Sequence, residues 1–305
     1  MKFVLRRLLV SVPMLFLVTA VAFFLIHAAP GSPFVSERGL TPEVRHSLER
    51  AYGLDQPVAV QFGRYVSRLA HGDLGPSLKY RGRGVLDLIE DGLPVSVAVG
   101  ASALLLGLLV GTVIGLIGAL HRHGHVDNGL MIFGVAALCV PTFVTAPLLV
   151  LVFASHLGWL PAAGLAAGWR SYVLPVGVLS LPQVAIVARL VRAGMLEVLD
   201  SSYVRTARSR GLPEHRVILH HALPAAILPV VAYLGPASAG VLTGSLVVEK
   251  IFGLPGVGRY FVISALQRDY TVLMGVVILY AAAILMFNLA SDLLQRWLDP
   301  RVRLS

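Results

Sequence analysis

The chain has 305 residues, of which 56% are hydrophobic and only 13% charged, and it carries a formal net charge of +9 at pH 7. Charges this sparse, falling almost entirely outside a handful of apolar blocks, describe a polytopic membrane protein rather than a soluble domain, and positive charge spread over several loops is not a nucleic-acid patch. The single cysteine, Cys139, leaves no disulfide within the chain and no thiolate metal site.

A bilayer core needs about 20 consecutive, mostly apolar residues per helix. Six blocks meet that requirement, at about 8–29, 94–120, 129–155, 172–196, 225–248 and 272–295. The first follows Lys2, Arg6 and Arg7 as a secretory signal would, but it is too long for a signal core. It also lacks a small-x-small cleavage site, so it reads as a retained span.

Residues 30–93 form a structured loop. In "TPEVRHSLERAYG" Thr41 is the expected N-cap, Pro42 opens the helix, Glu43 sits near its positive end and Gly53 stops it. In "QPVAVQFGRYVSRLAHG" Val58, Phe62, Tyr65 and Leu69 share a helical face and Gly72 ends it. These helices are expected on the membrane surface or over one mouth of the protein.

Gly107, Gly111 and Gly115 in the second span clear one stripe of side chains, so another helix can approach closely. "HRHGHVDN" (121–128) alternates three histidines. That spacing gathers them only in an extended conformation, and the segment reads as a polar inner loop rather than a metal site. Pro141, Pro147, Pro175 and Pro182 permit kinks in the third and fourth spans, which makes these spans candidates for lining a path.

Between the fourth and fifth spans lies "SYVRTARSRGLPEHRVILHHALP" (202–224). Asp200, Ser201 or Ser202 can cap a short helix and Gly211 stops it. Tyr203, Val204 and Ala207 share one face, with Arg205, Arg208 and Ser209 opposite. Pro213 and Glu214 start a second helix running into Pro224 and the fifth span. The pattern fits a helix that receives a partner protein, and equally one that rests on lipid.

Basic residues mark the cytoplasmic side of short loops. Lys2, Arg6, Arg7, Arg122, Arg189, Arg192, Arg205, Arg208, Arg210, Arg216, Arg296, Arg301 and Arg303 fall on one side. Only Arg170, Lys250, Arg259 and Arg268 fall in the short loops of the other, which puts both termini inside. Anionic lipid absorbs part of the charge.

No energy source is legible. "GLPGVGR" (253–259) lacks the Lys-Ser/Thr pair of a phosphate loop, so no ATP or magnesium site is expected in this chain. No acid lies near the middle of a span, as an ion-coupled carrier would need; Asp292, Arg189, Arg192 and Glu197 fall near inner ends. Ser180, Ser238 and His27 make no nucleophile elbow or zinc-binding pair, so catalysis is not expected.

Residues 203–224 resemble the cytoplasmic EAA loop of permease subunits from binding-protein-dependent ABC importers, specifically the dipeptide/oligopeptide branch. Counted from Gly211, Arg205, Thr206 and Ala207 occupy the first triplet, with Arg205 where the pattern has an acid. His221 replaces Ile, followed by Leu223 and Pro224. Further similarity lies in "LRRLLVSVPMLFLVTAVAFFLIHAAPGSP", "LDQP", "GDLGPS", "ARLVRAGMLEVL", "EKIFGLPGVGRYFVISALQRDY" and "NLASDLLQRWLDPRVR", in that order along the chain.

The resemblance implies an all-α integral membrane protein of the bacterial inner membrane. It would have six spans, both termini cytoplasmic, an extracytoplasmic helical loop over 30–93 and a coupling loop over 200–224. It implies a non-catalytic half of a translocation path, paired with a related second permease, two ATPase subunits that hold the ATP and magnesium, and an extracytoplasmic substrate-binding protein. Tyr203, Val204 and Ala207 would give the ATPase apolar contact, with Arg205, Arg208, Arg210 and Arg216 at the rim and Gly211, Pro213, Leu223 and Pro224 shaping the loop. Phe252, Gly253, Pro255, Gly256, Gly258, Arg259 and Asp269 would gate the outer mouth or receive the binding protein. The alternative is a stand-alone carrier or channel for small solutes.

Overall fold

The computed structural model describes residues 2–28, 41–80, 82–122 and 124–298. His123, Arg301, Arg303 and the 29–40 part of the loop lie outside the described residues. The elements are α1 (Lys2–Ala28), α2 (Pro42–Ala51), α3 (Val58–Ala70), α4 (Val85–Leu120), α5 (His125–Cys139), α6 (Thr142–Leu149) and a π-helical turn (Val150–His156). There follow α7 (Arg170–Leu199), α8 (Ser202–Ser209), α9 (Glu214–Arg216), a second π-helical stretch (Val217–Ala222), α10 (Leu223–Ala226), α11 (Leu228–Ile251), α12 (Val257–Gln267) and α13 (Tyr270–Leu298).

Among the described residues five helices are long and apolar enough to cross a membrane, and six spans result if the bent pair α5 and α6 counts as one. The helices differ from the expected spans in two places. The helix that holds the second span begins at Val85, ahead of the apolar run from 94, because Asp87, Glu90 and Asp91 interrupt the apolar pattern without ending the helix. The third is not continuous over 129–155: it turns by 104° between Cys139 and Thr142. Pro141 disfavours helical backbone in the residue before it, and Val140 adopts φ −86°, ψ 116°. The helix of the fifth span runs over Leu228–Ile251, within a few residues of 225–248; the chain breaks at Ile227 and restarts with Pro229 in the first turn.

The chain divides into two compact units: Met1–Ser96 with Leu254–Leu285, and Val97–Gly253 with Met286–Ser305. In the first unit α3 packs on α1 through aromatic contacts, Phe23 lying 5.2 Å from Phe62 between ring centroids, over Met274 and Ile278. Thr41 Oγ1 accepts from Val44 N at 3.5 Å to cap α2, and Gly53 and Gly72, both at positive φ, follow α2 and α3.

In the second unit α7 is the central element. Its Leu174, Val178, Val184, Val187, Val191 and Met195 are buried. Its C-terminal end belongs to a cluster with Ala119, Val204, Ala207, Val217, Ala222, Ala226 and Val230.

Candidate functional site

Helix α8 is short, and two side chains hold it. Val204 is fully buried and Ala207 nearly so, both in the cluster around Val191 and Met195. Ser201 occupies the N-cap position without a side-chain capping bond; its Oγ donates instead to Val198 O at 2.5 Å. Arg210 closes the helix and Gly211 follows at φ +75°, a left-handed conformation that non-glycine residues adopt only with strain. Arg208 then reaches over the turn to Glu214, with Nη2 to Oε1 at 2.6 Å and Nε to Oε2 at 3.2 Å. That hydrogen bond holds the Glu214 carboxyl below its ordinary pKa.

This placement corrects the expected contact face. Val204 and Ala207 cannot give an ATPase its apolar contact, because α8 spends them on its own unit: two inward positions three apart define the buried side of a two-turn helix. The face left outward consists of Tyr203, Arg205, Thr206, Arg208, Ser209 and Arg210, all exposed, continued by Pro213 and Arg216. Tyr203 donates to His221 O at 3.4 Å. Leu223 is half-buried and Pro224 exposed at the start of α10.

The connection onward is not one regular helix. After α9 the chain winds as a π-helix through Val217–Ala222, then as α10, before α11 begins. Val217, Ala222 and Ala226 are buried in the same cluster as Val204, so α8 and this stretch share one apolar footing.

Gly107, Gly111 and Gly115 lie against α7. A Cβ on Gly107 would stand 2.5 Å from Gln183 Cβ, one on Gly111 2.7 Å from Val187 Cβ, and one on Gly115 would overlap the Ala188 carbonyl oxygen. On α7 itself Gln183 accepts from the Tyr233 hydroxyl of α11 at 2.9 Å.

The segment that resembles an outer gate is largely internal. Phe252, Gly256, Gly258 and Asp269 are buried, Pro255 and Arg259 partly so, and only Gly253, at φ +60°, is exposed. A binding protein therefore cannot touch Phe252 or Asp269 directly, which corrects that part of the expectation. Asp269 is an anchor. Its carboxylate accepts from Ser77 Oγ at 2.5 Å, Leu78 N at 3.2 Å, Lys79 N at 3.1 Å and Val272 N at 3.2 Å, fixing the 77–79 turn to the start of α13. Val257 N at the head of α12 donates to Ser96 Oγ at 2.8 Å, so one of the amides a phosphate would use there already has a partner.

Sequence reasoning missed one polar pair. Arg192 of α7 grips Asp127 of α5 with Nε to Oδ1 at 2.5 Å and Nη2 to Oδ2 at 2.6 Å, and Asp127 is 1% exposed. The signal was present: an acid in the first turn of a helix opening an apolar block must find a cation or stay outside.

The chain combines membrane-length helices with the short amphipathic helix α8, and known proteins are similar to it in sequence. Residues 111–304 match the family described as binding-protein-dependent transport system inner membrane component, and residues 1–99 match its N-terminal region. The oligopeptide transport system permease protein OppB of Salmonella typhimurium is 45% identical over 304 residues, covering 99% of each chain. The dipeptide transport system permease protein DppB of Bacillus subtilis is 39% identical over 306 residues, covering 99% of this chain and 98% of that one.

Among solved structures, the MetNI methionine ABC transporter in an inward-facing conformation aligns with a TM-score of 0.59 at 16% identity, over 70% of this chain and 96% of that one. An amino acid ABC transporter gives 0.55 at 21% identity, over 69% and 94%. The chain belongs to the inner membrane components of binding-protein-dependent transport systems, and is a multi-pass protein of the bacterial inner membrane. Within that family it falls with the permeases of the dipeptide and oligopeptide branch.

Proposed function

We propose that this chain forms half of the translocation path of an ATP-driven peptide importer and passes the work of a partner ATPase into the membrane through α8. The carrying observation is that α8 turns a polar, arginine-rich face outward while its opposite side is buried in the cluster that holds the inner end of α7. A push on Arg205, Arg208 and Arg210 is transmitted through Val204 and Ala207 because close-packed apolar contacts do not yield continuously. ATP and magnesium are assigned to partner ATPases, the other half of the path to a related permease, delivery to an extracytoplasmic binding protein, and both termini and the 200–224 segment to the cytoplasm. The peptide substrate is supported by what the similar permeases are named for.

Substituting Gly211 by valine tests the coupling. A Cβ there meets nothing within 4 Å, so the change acts through the left-handed backbone alone, at about 1–2 kcal/mol. In the reconstituted complex, ATP hydrolysis should persist while peptide uptake falls. Uptake equal to the unsubstituted complex would refute the coupling role, and gradient-driven uptake by this chain alone would make it a stand-alone carrier.

A further inference from the structure

The first unit encloses a cavity of about 210 Å³ between the end of α1, the turn after α2, the face of α3 and the start of α13. Its apolar floor includes Phe23 and Met274, and its walls carry His27, Tyr65, Arg64 and Arg68. The two arginines stand one helical turn apart, where like charges repel. Among the described residues neither has a carboxylate partner.

Both arginines are exposed and line the cavity. Nη1 of Arg64 lies 3.0 Å from where a Cβ on Gly53 would be, and Nη1 of Arg68 lies 3.9 Å from that position on Gly75. Gly53 and Gly75 both have positive φ, the left-handed region that glycine enters without strain. Between them the Tyr65 hydroxyl is buried with no hydrogen-bond partner. Burial pushes its pKa up, which keeps it a proton donor at any physiological pH. Two cationic forks and an idle hydroxyl donor lining one small space suit an anion with several acceptor oxygens.

We infer that the cavity seats the phosphate group of an anionic phospholipid, with Arg64, Arg68 and Tyr65 donating to its oxygens. Position favours lipid as the source over free phosphate. His27, which lines the cavity, lies in the last turn of a membrane-length helix, so the cavity sits where an apolar span ends and headgroups begin. The tyrosines at this level match the aromatic belt that forms where headgroups begin. The volume is below the roughly 300–1,000 Å³ of pockets that enclose a drug-sized ligand, which suits a headgroup and not a peptide. The inference does not depend on transport or on which membrane face the loop occupies.

The test uses the full-length chain in neutral detergent, with bound lipid counted by native mass spectrometry against added phosphatidylglycerol and phosphatidylcholine. The intact chain should retain phosphatidylglycerol selectively. R64Q/R68Q should lose at least about tenfold in that affinity, since each charge-assisted hydrogen bond contributes about 1.5–3 kcal/mol. Both arginines are exposed, so the fold should survive, as circular dichroism would show. Tyr65→Phe, which keeps the ring and removes the donor, should weaken binding by about threefold or more. Undiminished retention by R64Q/R68Q would overturn the site. Displacement by inorganic phosphate would overturn the lipid source while keeping the phosphate, and displacement by a short peptide would assign the cavity to a carboxylate instead.

Discussion

The two units hold their key segments by opposite means. In the first, the 77–79 turn is tied to α13 by one carboxylate, Asp269, that satisfies donors from Ser77, Leu78, Lys79 and Val272. In the second, α8 has no side-chain cap and rests on buried apolar atoms, Val204 and Ala207 in the cluster with Val217 and Ala222. Hydrogen bonds are directional and give a single geometry. Apolar contact is non-directional and tolerates tilt as long as area stays buried. A turn that must keep its shape is suited by the first, and a segment pushed by a partner is suited by the second.

The difference can be broken most severely at Asp269. Alanine there strands several buried donors, so thermal stability in detergent should fall by about 3–5 kcal/mol and proteolysis at Arg83 should accelerate. An unchanged midpoint would remove the polar anchor.

Next comes the ion pair between α5 and α7. Asp127→Ala should cost about 1.5–3 kcal/mol by removing the charge-assisted hydrogen bonds to Arg192, and adding Arg192→Met should recover part of it. If the double variant is no better than the single one, the pair is not what Asp127 supports.

Smaller still is Val204→Ala, expected at about 1–2 kcal/mol, against under about 0.5 kcal/mol for Arg205→Ala on the outward side of the same helix. Equal effects in thermal unfolding would mean that α8 has no inward face.

The exposed Arg208–Glu214 pair contributes least, at most about 0.5 kcal/mol after solvent screening. Glu214 is held below its ordinary value of 4.5, so this contribution is present above that pH and lost as pH falls through the lowered value. Arg208→Gln should flatten that acid limb in a pH titration of stability.

What could be read from the chain was local. Thr41 as a cap, and Gly53, Gly72 and Gly211 as helix stops, depend on neighbours within a few residues, and the structure has all four there. The glycine stripe was legible as a close approach, though not which helix it met. The footing of α8 was not legible: Tyr203, Val204 and Ala207 form an apolar face by spacing, but which way an amphipathic helix turns depends on what stands beside it. Asp269 was read as part of a mouth because its partners lie about 190 residues away in sequence. Pro141 announced a bend, while its size of 104° comes from packing.

The meeting of α4 with α7 has a thermodynamic character of its own. Gly111 and Gly115 have no rotamers to lose when the helices come together, and the facing Val187 and Val191 are already restricted at χ1 by their own helix. Association there gives up almost no side-chain freedom, so dispersion between closely fitted backbones is enough to sustain it in lipid, where no hydrophobic driving force exists.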